Sequence, residues 1–219
     1  MLARLATLED PVRRDLYLFV IARGRETSRD QAARGVGVSR ALAAFHLDKL
    51  VRQGLLDVAY RRLTRKRGPG AGRPAKLYRR SGAQLTLTLP PREYELAARL
   101  FADALEAARS ERALHRVARS FGRRLGAESR RPGKTSRSAA HRAFVAALAS
   151  HGYEPSTAAD GAIVLRNCPF DTLAQTHRAL MCGTNRELLE GVRRGAGLTG
   201  YAVVASSEPG RCCTTVRPR

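Results

Sequence analysis

The chain has 219 residues, enough for one or two domains with a substantial core. Hydrophobic residues make up 43% of it, which excludes a disordered tail, and the roughly 20 successive apolar residues of a membrane helix do not occur. The net charge of +21 favours a polyanionic partner such as nucleic acid. Because the N-terminus lacks the long apolar run of a signal peptide, we expect a cytoplasmic protein with no membrane contact.

The positive charge is concentrated in the first 80 residues. They contain 19 Lys and Arg against 7 Asp and Glu, and Val58–Arg80 holds nine basic residues and no acidic one. An arginine-rich composition used only on solvated surfaces would spread the charge more evenly along the chain. The concentration therefore favours a nucleic-acid contact near the N-terminus.

Three helices are predicted at the start of the chain. They cover Asp10–Gly24, Gln31–Arg34, and Arg40 to about Gln53, and Ser39 is the predicted N-cap of the third. Two short helices joined by a glycine-containing turn form a helix-turn-helix, whose second helix enters the major groove of DNA.

The third helix carries the candidate DNA contacts. Arg40 is suited to a guanine edge or a phosphate, and Lys49 to a phosphate. His46 stays open between a polar contact and a packing role, while Phe45 lies on the apolar stripe and is expected in the core. The candidates on this helix are Ser39, Arg40, Ala43, Ala44, His46 and Lys49.

A β-hairpin with a long charged tip follows. Its predicted strands are Leu55–Arg61 and Lys76–Arg80, and the tip contains too much Gly and Pro to be a strand. Gly72-Arg73-Pro74 resembles the core of AT-hook segments, so Arg73 is a candidate minor-groove probe; an ordinary turn with phosphate-attracted arginines is the alternative. The candidate contacts in this wing are Arg65, Lys66, Arg67 and Arg73.

The segments VSRALAAFHLDKLVRQGLL and GPGAGRPAKLYRRS make residues from about 10 to 80 resemble the ArsR-like winged-helix regulators. The resemblance implies a winged helix-turn-helix domain that binds double-stranded DNA. Such regulators usually bind as homodimers on palindromic operators, because the two-fold axis of the protein matches that of the site.

The middle of the chain is predicted to be largely helical. Gln84–Leu89 alternates Leu and Thr as in a short strand, and helices are predicted over Arg92–Ser110, Ala113–Leu125 and His141–His151. We expect Arg92–Leu125 to supply the homodimer contact, because long amphipathic helices often do so; packing of these faces within one chain is the alternative.

The last quarter of the chain reads as a small α/β module that contains every cysteine. Cys168, Cys182, Cys212 and Cys213 lack the C-x2-C pairs of common zinc modules and do not match ferredoxin spacings. Their clustering still favours metal binding or redox chemistry over structural disulfides. Neighbouring strand residues point to opposite faces, so Cys212 and Cys213 share a centre only if the backbone bends. His177 is a further candidate ligand, with a structural role as the alternative.

Secondary structure in this module is less regular. Strands are predicted over Tyr153–Ser156, Ala162–Arg166 and Tyr201–Ala205, and a helix over Arg186–Arg194. The segment Met181–Asn185, which contains Cys182, is expected to precede that helix.

The motifs NCPFDTLAQTH, MCGTNRELLEGV and PGRCC resemble the C-terminal module of the SufR-like branch of winged-helix regulators. The resemblance implies a repressor with an iron–sulfur cluster, of the 4Fe–4S or 2Fe–2S type, that responds to redox or iron–sulfur status. Its ligands would be Cys168, Cys182 and one of Cys212 and Cys213, with Cys212 slightly preferred.

Two alternatives remain beside the cluster. The cysteines would otherwise form a zinc site or a thiol–disulfide switch. An enzyme with a cysteine nucleophile is not expected. It needs a base and an orienting partner, and although His177 is near in sequence, no carboxylate–His–Cys pattern stands out. The predicted fold is α+β, with a winged helix-turn-helix over residues 1–82, amphipathic helices over 83–151 and a small α/β cysteine-containing sensor domain over 152–219.

Overall fold

A computed structural model describes residues 2–62, 74–84, 92–130, 133, 136–206 and 212–219. The chain mixes helices and strands, as an α+β fold requires, and divides into two compact units, Met1–Arg92 and Glu93–Arg219. None of the helices found in these described ranges is long and apolar enough to cross a bilayer.

The N-terminal unit consists of a helical cluster and a three-stranded antiparallel sheet in the order β1-β3-β2. This is the architecture of a winged helix-turn-helix, in which α3 and α4 form the motif and β2 and β3 the wing. Its elements are α1 (Leu2–Ala6), α2 (Pro11–Arg23), β1 (Thr27–Ser28), α3 (Arg29–Val36), α4 (Arg40–Arg52), β2 (Leu56–Arg61) and β3 (Ala75–Arg80).

Local capping explains where the helices of this unit begin. The side chains of Asp10 and Ser39 accept hydrogen bonds from the third residue after them, at 2.8 and 3.2 Å. Ser28 and Gln31 form a reciprocal capping box at the start of α3. The three predicted helices are thus confirmed, and β1 occupies part of the segment expected to lead into the second helix.

The core of the N-terminal unit is centred on Leu16, Leu47, Leu50 and Tyr78, none of which is exposed to solvent. These residues come from α2, α4 and β3, so burial of their apolar surface holds α4 against α2 and the wing.

The C-terminal unit combines five helices with a four-stranded antiparallel sheet in the order β4-β5-β7-β6, as far as the described residues extend. Its elements are α5 (Tyr94–Ala107), α6 (Glu111–Glu128), α7 (Arg137–Ala149), β4 (Pro155–Thr157), β5 (Ile163–Leu165), α8 (Asp171–Ala174), α9 (Arg178–Gly195), β6 (Tyr201–Ala205) and β7 (Thr214–Pro218).

Helices α6 and α9 pack backbone against backbone. Gly122 and Gly126 on α6 face Gly191 and Gly195 on α9, and a Cβ atom at any of the four would collide with backbone atoms of the opposite helix. The close approach is possible because glycine has no side chain at the crossing. It makes α9 a central element of the unit.

Two boundaries differ from the sequence prediction. Helix α9 begins at Arg178, so the segment with Cys182 is helical and does not precede the helix. The boundary expected near residue 151 is not seen, because Phe144 of α7, Leu189 of α9 and Val216 of β7 belong to one core. The strand predicted over Gln84–Leu89 lies, apart from Gln84, outside the described residues.

Candidate DNA-binding surface and cysteine site

The exposed face of α4 combines polar and apolar side chains. Ser39 and Arg40 lie at its exposed beginning, and Lys49, two turns later, is half-buried. Between them, Leu42 is 40% and Phe45 56% exposed, a large fraction for such apolar side chains. The helix therefore presents cationic, hydrogen-bonding and apolar groups to the solvent.

Three predictions for α4 are changed by the burial of its side chains. Ala43 is fully buried, which contradicts the DNA contact predicted for its side chain, and His46 is only 6% exposed, which supports the packing role that the sequence left open for it. Phe45, predicted to be in the core, is exposed. Ala43, Leu47 and Leu50 define the buried side at helical spacing, and Phe45 falls outside it. A stricter test of the 3.6-residue period would have found this face.

The buried side chain of His46 is held inside the unit by a hydrogen bond to its ring. Its Nδ1 accepts a hydrogen bond of 3.3 Å from Nε of Arg13, whose guanidinium also donates to the carbonyl of Thr7 at 2.8 Å. Burial lowers the pKa of His46, and the positive charges of Arg13 and Lys49 act in the same direction. The neutral imidazole is the form that this packing requires.

A polar contact fixes α4 to the wing. Oδ1 of Asp48 accepts hydrogen bonds from the hydroxyl of Tyr78 at 2.7 Å and from Nζ of Lys76 at 2.6 Å. Burial acts to raise the pKa of Asp48, but these two donors outweigh it and hold that pKa below its usual value. The recognition helix and strand β3 therefore have a fixed relative position.

Between α3, α4 and the wing lies a groove of about 330 Å³. Arg29, Arg40 and Lys76 line it together with the exposed ring of Tyr60. Arg40 pairs with Asp30 across 2.6 Å, and both side chains are exposed. The predicted wing contacts Arg65, Lys66, Arg67 and Arg73 lie outside the described residues and stay predictions.

The C-terminal unit brings its four cysteines together from three separate segments. Cys168 follows β5, Cys182 lies on α9, and Cys212 and Cys213 immediately precede β7. All four are free thiols. Their interactions run from Cys168 to Cys212, on to Cys213 and from there to Cys182.

This row of thiols has a buried half and an accessible half. Cys212 is only 2% exposed, and the side-chain amide of Asn185 donates a hydrogen bond of 3.1 Å to its sulfur. Asn185 in turn accepts a hydrogen bond of 2.6 Å from the hydroxyl of Tyr153. Cys213 and Cys182 instead line an open cavity of about 310 Å³.

The thiols alter the protonation of one another. A hydrogen bond from Cys212 lowers the pKa of Cys168, and the same interaction raises the pKa of Cys212 to about 11. Burial and contact with Cys213 raise the pKa of Cys182 to about 11. The neighbouring Cys212 also raises the pKa of Cys213. Cys168 is therefore the most acidic of the four thiols.

The arrangement of donors bears on which group they can bind. A single metal ion needs its ligands around one point, and no three Cys, His, Asp or Glu side chains do so in the part of the chain that the structure describes. Soft thiols are ligands of zinc and of iron–sulfur clusters alike, so the donor type by itself does not distinguish these groups. The interaction between Cys212 and Cys213 agrees with a backbone that bends between them.

His177 has different partners. Its Nδ1 lies 3.1 Å from Oε2 of Glu106 and its Nε2 lies 3.6 Å from Oδ1 of Asp103. Both ring nitrogens thus face carboxylates of α5, which supports the structural role of His177.

Comparison with known proteins identifies the N-terminal motif. Residues 8–59 match the family model of a helix-turn-helix domain, and the match covers α2, α3 and α4. No curated protein and no solved structure matches the chain significantly. The chain therefore contains a helix-turn-helix domain, and this domain supports a DNA-binding transcription regulator.

Proposed function

We propose that the protein is a cytoplasmic transcriptional repressor that binds palindromic double-stranded DNA through α4 and the wing. The observation that carries this proposal is the exposed face of α4 within a helix-turn-helix domain. Arg40 and Lys49 contact phosphates or a guanine edge, and Ser39 contacts the backbone of DNA at the start of the helix.

Phe45 adds an apolar contact to this surface. Its ring is 56% exposed, and aromatic side chains recognise thymine through the methyl group in the major groove. Arg65, Lys66, Arg67 and Arg73 provide further phosphate or minor-groove contacts from the wing.

DNA binding is tested by selecting sites from a random duplex library and measuring Kd by fluorescence anisotropy. Arg40→Gln should weaken binding to the selected site by about tenfold or more, and Phe45→Ala should reduce the preference for thymine at one position. Arg217→Gln, which removes an exposed charge in the C-terminal unit, is the matched control. Equal weakening by Arg40→Gln and Arg217→Gln would contradict the proposed surface.

The cysteines serve in this proposal as a sensor that holds an iron–sulfur cluster. Cys168, Cys182 and Cys212 are the proposed ligands. Cys213, which interacts with both Cys212 and Cys182, is the alternative to Cys212 as the third ligand. A bound cluster supplies reversible one-electron chemistry and sensitivity to oxidants. The protein supplies the thiols, and Asn185 orients the sulfur of Cys212.

The cluster is tested by anaerobic purification followed by visible absorption and by iron, sulfide and zinc analysis. Stoichiometric iron and sulfide would support it, and Cys168→Ser should then remove the colour while DNA binding persists. A colourless protein without iron after reconstitution would overturn the cluster and leave the alternative of a zinc site or a thiol–disulfide switch. The contacts between neighbouring thiols favour the switch among these two.

The regulator is proposed to act as a homodimer through α5. Tyr94, Leu96, Leu100 and Phe101 of this helix are between 53% and 71% exposed, an unusual concentration of large apolar side chains on one short helix. A second copy is the occupant that the proposed function requires, because a palindromic site needs two recognition helices. Phe101→Glu should yield a monomer in light scattering; a dimer that persists would exclude this face.

A further inference from the structure

One groove of the C-terminal unit combines thiols with unpaired positive charge. It is the cavity of about 310 Å³ beside α9, and its walls include Cys182 and Cys213. Arg178, Cys182 and Arg186 recur every four residues and so lie along one face of α9, with Cys182 about one turn from each arginine. The opposite wall carries Cys213 with the polar residues Ser206 and Thr214.

The two arginines of this groove differ from other arginines of the unit. Arg193 and Arg194 form ion pairs with Glu190 at 2.7 Å, and Arg119 pairs with Glu187. Arg178 and Arg186 are exposed, and neither has an ion pair or hydrogen bond with a described residue. Their charges are therefore available to a ligand.

We propose that this groove binds a low-molecular-weight disulfide with an anionic group at each end, and that the disulfide oxidises Cys182 and Cys213. Carboxylates at the two ends are matched by Arg178 and Arg186, which form charge-assisted hydrogen bonds with such groups. The central sulfur–sulfur bond then lies against the thiols. This inference concerns the thiol form of the chain and does not depend on the proposed cluster.

The reaction is thiol–disulfide exchange in two steps. The thiolate of Cys182 attacks one sulfur of the ligand, forms a mixed disulfide and releases one thiolate. The thiolate of Cys213 then attacks the sulfur of Cys182, which forms the Cys182–Cys213 disulfide and releases the second thiolate. Two protein thiols are oxidised and one disulfide is reduced to two thiols, while the two protein protons pass to the solvent or the released thiolates.

The position of each cysteine selects this pair. Cys182 and Cys213 interact with one another and line the groove, so that both are accessible to a ligand. Cys212 is only 2% exposed and has Asn185 as its hydrogen-bond donor. Cys168 has the most acidic thiol but is not among the residues that line this groove. The reaction should therefore stop at one disulfide, with Cys168 and Cys212 still reduced.

The test compares two disulfide reagents on the reduced, metal-free full chain. Dithiobis(nitrobenzoate) carries one carboxylate on each ring, whereas dithiodipyridine is neutral. We expect the double variant Arg178→Gln/Arg186→Gln to react about tenfold more slowly with the anionic reagent at low salt. Its reaction with the neutral reagent should slow clearly less, and only because Arg178 also lowers the pKa of Cys182. High salt should reduce the difference for the anionic reagent because it screens the two charges.

A matched control and a mapping step make the result decisive. Arg217→Gln/Arg219→Gln removes the same charge outside the groove and should react like the unmodified protein. Peptide mapping should locate the disulfide at Cys182 and Cys213. Equal slowing by the two double variants, equal slowing with both reagents, or oxidation of Cys168 and Cys212 first would overturn the proposal. Iron and sulfide analysis of the anaerobic protein tests the cluster separately.

Discussion

Each of the two units buries one tyrosine whose hydroxyl donates to a polar side chain. Tyr78 in the N-terminal unit donates to Asp48 at 2.7 Å, and Tyr153 in the C-terminal unit donates to Asn185 at 2.6 Å. The rings are 0% and 2% exposed. A buried tyrosine with a hydrogen-bonded hydroxyl thus anchors each of the two cores.

The side chains that accept from the two tyrosines, Asp48 and Asn185, have different further partners. Asp48 is also bound by Lys76, so the network closes between α4 and the wing and fixes the proposed DNA-binding surface. The side-chain amide of Asn185 also donates a hydrogen bond to the sulfur of Cys212, an atom that oxidation or metal binding would change. One buried tyrosine therefore gives rigidity, whereas the other connects the core to a reactive group.

The largest expected effect is on the stability of the C-terminal unit, through the packing of α6 against α9. Gly126→Ala should destabilise the C-terminal unit by about 3 kcal/mol, because its Cβ would collide with the carbonyl oxygen of Val192 on α9. This loss exceeds the gain of about 1 kcal/mol that alanine brings to a helix interior. Hydrogen exchange should show faster opening of α6 and α9 and an unchanged α4.

A matched glycine substitution provides the control for that result. Gly82→Ala should change stability by less than about 0.5 kcal/mol, since no atom lies within 4 Å of the added Cβ. If Gly126→Ala were as mild as Gly82→Ala, the close crossing of α6 and α9 would be wrong.

Removing each tyrosine hydroxyl tests the comparison of the two anchors directly. Tyr153→Phe should cost about 2 kcal/mol, because Asn185 is 1% exposed and would keep an unsatisfied carbonyl. Tyr78→Phe should cost about 1 kcal/mol, because Asp48 retains Lys76 and is partly accessible to water. Urea unfolding of the two variants measures both losses of stability. A larger loss in Tyr78→Phe than in Tyr153→Phe would contradict this difference between the two units.

The cap of α4 offers a sharper test within the N-terminal unit. Ser39→Ala should cost about 1 kcal/mol, because the amide of Leu42 loses its acceptor. Ser39→Asp should preserve stability, since aspartate also caps helices, but should weaken DNA binding through repulsion of phosphate. Thermal unfolding and fluorescence anisotropy distinguish these effects; equal DNA affinity for Ser39→Asp and the unmodified protein would exclude Ser39 from the interface.

The smallest expected effect is the pH dependence of the N-terminal unit. Because the pKa of His46 is lowered in the folded state, the unfolded chain binds more protons near the ordinary histidine pKa. The stability that neutral His46 contributes is complete above a pH of about 6.5 and is lost as the pH falls through the folded-state pKa. Unfolding titrations should show this loss, and His46→Gln should remove it. An unchanged slope in His46→Gln would assign the titration to another group.

Much of the N-terminal unit could be predicted from its sequence because its signals are local. Asp10 and Ser39 act on amides three residues away, and the glycines after the helices lie within the same short segments. Even there, the prediction for Phe45 was wrong, because an apolar residue is compatible with both a core and a binding surface, and only the helical spacing of Ala43, Leu47 and Leu50 places it outside the buried side.

The sequence was sufficient to predict the helix-turn-helix, the extent of its helices and the cysteines as one candidate sensor. Only the tertiary structure decided that Cys182 lies on a helix, that its thiol interacts with Cys213, and that Arg178 and Arg186 flank it. It also decided the partners of His177. Helix caps act through neighbouring residues, whereas the cysteine site depends on contacts between segments that lie far apart in the chain and meet only in the folded unit.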